Sequence, residues 1–151
     1  MTTAQRLLAA VLGLLLGVQA IGKVYDMRLY VVALERFRAF PKGLTPIVAV
    51  LWVVVELAAL VGLEAAAAVR PLRTTVLVGA IAAVVDALAY AVLTIGTRLR
   101  GIDVLNCTCF GAFLPQRLST SVLVQDIVMV AWTLWTLKVA MGVGHAGVRA
   151  P

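Results

Sequence analysis

Four long apolar runs, separated by short connections that hold most of the charge, limit this chain more than any other feature. They cover residues 7–22, 47–63, 76–95 and 122–140. About 20 apolar residues cross the hydrocarbon of a bilayer as a helix, and the first two runs come near the short end of that range. Hydrophobic residues make up 63% of the 151-residue chain and charged ones only 13%. A soluble domain of this size could not cover so much apolar surface with so few charges. The expected fold is therefore all-α: an integral membrane four-helix bundle with short loops and antiparallel neighbours. Residues 1–141 form its single transmembrane domain and 142–151 a Gly- and Ala-rich tail containing His145, which is given no role.

The formal net charge of +6 is spread over connections and ends. That distribution fits contact with anionic lipid headgroups, and no nucleic-acid-binding module accompanies it. Between the first two spans, residues 23–42 interleave Tyr30, Val31, Val32 and Leu34 with Lys23, Arg28, Arg36, Arg38 and Lys42. This pattern suits an interfacial amphipathic helix over one mouth of the bundle, a plain lipid-facing loop being the alternative.

The N-terminus admits two readings. Arg6, the run 7–18 and Val18-Gln19-Ala20 resemble a secretory signal with its cleavage site. Ala9, Gly13 and Gly17 instead fall at the four-residue spacing of a helix–helix contact in lipid, and a retained first helix is the expectation taken. Gly79, Ala83, Ala87 and Ala91 repeat that spacing in the third span, where packing accounts for them.

Cys107 and Cys109 are the only cysteines, and they stand in Asn106-Cys107-Thr108-Cys109-Phe110-Gly111 between the third and fourth spans. Two small buried thiols, a metal site and a redox couple are the competing readings. A metal site lacks further Cys or His ligands nearby. An i, i+2 disulfide closes a very small, strained ring, which makes it exchangeable, so the redox couple is favoured. Gly111 beside Phe110 would let the backbone turn sharply after the pair.

Polar groups inside spans are costly and thus informative. Glu56 lies in the second span, Asp86 in the third, and Gln125 with Asp126 near the start of the fourth. Two acids at mid-membrane fit either a proton store or, for Asp86, a hydrogen bond across spans. Lys23, ending the first span on the cysteine side, is expected to pair with Asp126; such a pair could be structural or could tune the thiols. Trp52, Trp132 and Trp135 are candidates for lining a quinone site, or for packing.

Gly22-Lys23 closing the first span, Glu56 in the second and Cys107-x-Cys109-Phe110-Gly111 before the fourth resemble the methylamine-utilisation MauE family, related to DoxX-like membrane proteins. The resemblance runs through nearly the whole chain, and its specific part is the cysteine motif. It implies a bacterial inner-membrane protein acting in periplasmic disulfide metabolism beside a thioredoxin-like partner. Cys107 and Cys109 would exchange disulfides, with Lys23 and Glu56 supporting the site. Where the family carries an Arg-Asn pair in the last span, this chain has Gln125-Asp126.

Sidedness sets two rules against each other. The cysteine side carries Lys23, Arg28, Arg36, Arg38, Lys42, Arg98, Arg100 and Arg117, against Arg6, Arg70, Arg73, Lys138 and Arg149 opposite. Positive-inside counting would put the thiols in the cytoplasm. Disulfide chemistry favours the oxidising outer face, which is the expectation adopted. The function expected is a thiol–disulfide oxidoreductase passing electrons between the cysteines and an extracytoplasmic thioredoxin-like protein, with a quinone as a candidate second partner. The rival is a non-enzymatic assembly subunit of a larger membrane complex.

Overall fold

The computed structural model describes residues 2–41, 43–67, 72–105, 107, 109 and 116–142. Helix α1 spans Thr3–Tyr25, α2 Met27–Arg36, α3 Thr45–Glu64, α4 Arg73–Leu99 and α5 Thr120–Gly142, with a 3-10 turn at Ala65–Ala67 after α3. Among the described residues, α1, α3, α4 and α5 are the four helices long and apolar enough to cross a membrane. The protein is a membrane helical bundle, and all four sequence runs correspond to its long helices. The Phe110-Gly111 turn and the tail beyond residue 142 lie outside the described residues.

Local chemistry sets the helix ends. The Thr2 hydroxyl accepts from the Gln5 amide, and the Gln5 side chain accepts from the Thr2 amide, closing a capping box on α1. A single residue, Asp26, separates α1 from α2, and its carboxylate accepts from the Leu29 amide at 2.9 Å. Gly101 stops α4 in the left-handed conformation, φ 67°, which glycine adopts without a Cβ penalty.

Small residues set the packing. Helix α3 lies between α1 and α4, and α5 rests mainly on α4. A Cβ added at Gly62 would come within 2.4 Å of Gly79 Cα, so α3 and α4 cross backbone to backbone. The predicted stripe at Gly79, Ala83, Ala87 and Ala91 is buried as expected. Gly13 and Gly17 make room on α1 for side chains of α3, an added Cβ meeting Leu63 and Leu60 respectively. Helix α1 is therefore an integral part of the core, with Ala9, Leu12, Leu16 and Ala20 wholly enclosed.

Helix α2 sits against α3 and α1, with Tyr30, Ala33 and Leu34 buried and Arg28, Leu29, Val32 and Arg36 exposed. Arg100 fastens its end by donating to the carbonyls of Phe37 (3.2 Å) and Arg38 (3.0 Å). Tyr30, Leu34 and Phe37 share one apolar cluster with Trp52, Tyr90, Cys107 and Cys109.

Candidate functional site

The site is built from the backbone of the α4–α5 connection upward. The Leu118 amide donates to the Val104 carbonyl at 2.9 Å, and the Cys107 amide donates to Gln116 at 2.7 Å. Arg117 closes the same base by donating from Nε to Asp103 Oδ1 at 3.3 Å and from Nη2 to Oδ2. This hydrogen bond holds the exposed Asp103 carboxyl below the usual carboxylate range. The ladder fixes where Cys107 enters the bundle mouth.

The sulfurs of Cys107 and Cys109 lie 3.1 Å apart, and both residues are buried. The two thiols are not equivalent. The hydrogen bond from Cys109 lowers the pKa of Cys107 against the opposing effect of burial. Cys109 is pushed well above the ordinary thiol range by its contact with Cys107 and then by burial. Cys107 is thus the better thiolate and Cys109 the better proton carrier.

Beneath the sulfurs lies a polar core. Lys23 and Glu56 form an ion pair whose side chains are both fully enclosed. The Lys23 ammonium also stands 4.8 Å from the Tyr90 ring centroid and 5.4 Å from that of Tyr30, within cation–π range. The two tyrosine hydroxyls are 3.5 Å apart. Trp52 packs against Tyr90 with centroids 4.6 Å apart and the rings tilted by 56°, and donates from Nε1 to Asp86 Oδ1 at 2.7 Å. Asp86 therefore takes the expected hydrogen bond across helices.

The expected Lys23–Asp126 pair does not form. Lys23 instead pairs with Glu56 of α3, inside the core. Asp126 and Gln125 instead line a cavity of about 20 Å³ with Cys109, Gln19, Asp86 and Tyr90. Helix α4 lines this cavity with Asp86, Ala87 and Tyr90.

Of the predicted site residues, the fold gathers Cys107, Cys109, Lys23, Glu56, Gln125 and Asp126 at one end. Phe110 and Gly111 lie outside the described residues. Of the tryptophans, Trp52 is bound into the polar core, Trp132 is half-buried, and Trp135 is exposed. Sequence reading missed Tyr30 as part of the site. Tyr90 carried a signal, since it lies one helical turn after Asp86 on the close-packed face. Tyr30 offered none, because its burial depends on how α2 docks.

The chain belongs to the MauE family. The family model, described as methylamine utilisation protein MauE, matches residues 1–139. The match takes in all five helices down to the last turn of α5. No curated protein and no solved structure matches the chain. Family and fold together make it a multi-pass membrane protein of the methylamine-utilisation class.

Proposed function

We propose that this MauE-family protein is a membrane-embedded thiol–disulfide oxidoreductase working through Cys107 and Cys109. The observation that carries the reading is the pair itself: two buried sulfurs 3.1 Å apart. A nucleophilic thiol beside a resolving thiol is the minimum equipment for exchange.

The Cys107 thiolate attacks a disulfide of an extracytoplasmic thioredoxin-like partner, forming a mixed disulfide and releasing one partner thiolate. Cys109 then loses its proton and attacks the Cys107 sulfur. The Cys107–Cys109 bond forms, and the second partner sulfur leaves with the electron pair. Two electrons have passed to the partner, and a quinol or a second dithiol protein returns them. The reverse sequence oxidises the partner and hands the electrons to a quinone. Lys23 and Glu56 hold α1 against α3 below the sulfurs, which keeps the chamber assembled.

Cys109→Ser should trap a mixed disulfide through Cys107, visible by non-reducing electrophoresis and identified by mass spectrometry. The double Cys→Ser variant should trap none. Absence of any mixed disulfide in Cys109→Ser, with the protein folded in its membrane, would overturn the reading. Labelling intact cells with a membrane-impermeant maleimide, before and after reductant, tests the outward-facing placement of the pair.

A further inference from the structure

Resolution of the mixed disulfide needs a base for the Cys109 proton, and the site offers two carboxylates at the cavity wall. Asp86 is already engaged, with Trp52 donating to its Oδ1 at 2.7 Å. Asp126 differs. It is 95% buried, and its Oδ2 has no hydrogen-bond partner among the described residues. An unpartnered buried carboxylate oxygen is costly, on the order of 1–3 kcal/mol or more, and so calls for an explanation. The cavity it shares with Cys109 measures about 20 Å³, room for about one water molecule among several polar walls.

We infer that Asp126 is the proton acceptor for Cys109, reached through a single bridging water in this cavity. The inference rests on the thiol–disulfide reading above and deepens it. In the resolving step the Cys109 S–H gives its proton to the water, which passes one to Asp126 Oδ2. The freed sulfur electron pair makes the bond to Cys107 as the bond from Cys107 to the external sulfur breaks. That sulfur departs as a thiolate. In the reverse direction Asp126 returns the proton to the Cys109 thiolate as the intramolecular disulfide opens.

Two further observations fit. Asp126 acts electrostatically on both sulfurs, raising the pKa of each. Cys109, held above the ordinary thiol range, is the thiol that needs a base, whereas Cys107 already favours its thiolate. Other titratable groups also face this region: Lys23 from α1, Tyr30 from α2, Glu56 from α3, Asp86 and Tyr90 from α4, and Cys107. Glu56 also keeps one oxygen unpartnered, but it is paired with Lys23 and does not line the cavity, and Asp86 is held by Trp52, which leaves Asp126 as the acceptor on the cavity wall.

The test uses the full chain in lipid nanodiscs and an aryl disulfide that releases coloured thionitrobenzoate. The first equivalent reports attack by Cys107 and the second reports resolution by Cys109. Asp126→Asn should slow the second phase by about 100-fold, in the range of general base catalysis, while leaving the first no slower. The second phase of the variant should then climb with hydroxide, about tenfold per pH unit, where the unaltered protein shows a plateau. Asp126→Glu should restore part of the rate. Should the Asn variant not fold, deuterium oxide applied to the unaltered protein should slow the second phase and spare the first. Two equivalents released, with a second phase indifferent to Asp126→Asn or to deuterium oxide, would overturn this inference and leave the relay standing. A single equivalent from the unaltered protein would overturn both.

Discussion

Lys23 and Glu56, thirty-three positions apart, meet as an ion pair with no exposed side-chain surface. Removing one partner strands the other charge, at about 3–5 kcal/mol. Lys23→Met should therefore destabilise the bundle by that amount in a denaturing-detergent titration of the purified protein. The double change Lys23→Met with Glu56→Leu should recover most of the loss, since a well-packed apolar pair often equals a buried ionic one. Equal damage from single and double variants would contradict this account.

The Gly62–Gly79 crossing gives a second expectation. A Cβ at Gly79 would stand 2.5 Å from Gly62 Cα, so either Gly→Ala change must part α3 from α4. The cost should be about 1–3 kcal/mol in the same titration. Gly96, also within α4, meets nothing within 4 Å, and Gly96→Ala should stabilise by about 0.5–1 kcal/mol.

Cysteine acidity can be read directly. Cys109→Ala removes the hydrogen-bond partner that most lowers the Cys107 pKa. The pH midpoint for alkylation of Cys107 should then move upward. At neutral pH the rate should fall by about tenfold, the worth of one hydrogen bond to a charged atom. Above the ordinary thiol pKa the variant and the parent should converge. Cys109→Ser, which keeps a donor, should lie between them.

Arg100 makes a local prediction. Its donations to the Phe37 and Arg38 carbonyls are the fastening of α2 to α4. Arg100→Ala should raise hydrogen exchange of the Phe37 and Arg38 amides and the last turn of α2 by about tenfold. The four long helices should keep their protection.

The spans were legible because bilayer thickness imposes a length that few other constraints imitate. Their ends were not. Helix α1 runs past Lys23 to Tyr25, since Lys23 is neutralised inside the bundle and need not mark a boundary. Helix α4 reaches Leu99, helped by Thr97, whose hydroxyl donates to the Leu93 carbonyl at 2.6 Å within its own helix. The amphipathic segment was visible in its residue alternation, but not that one capping residue, Asp26, suffices to turn α1 into α2.

The site was legible by residue type and only partly by pairing. Acids in α3 and α5 were both available to Lys23, and the choice depends on helix rotation, which apolar sequence hardly encodes. Asp86 and Trp52 were each singled out, yet their bond depends on how α3 and α4 are rotated against each other. Tyr30 became visible only once α2 was seen to tuck its inner face beneath the cysteines.

Helix α5 keeps the smallest share of its apolar window inside the protein, 22% against 50% for α1 and α4. Such a thinly held helix would be easy to detach, were it not for its acid. Drawing Asp126 into hydrocarbon costs on the order of 2.5–3.5 kcal/mol, so the carboxyl acts as a latch as well as a reactive group. Neutralising it should loosen the outermost helix at the same moment that it slows the resolving sulfur.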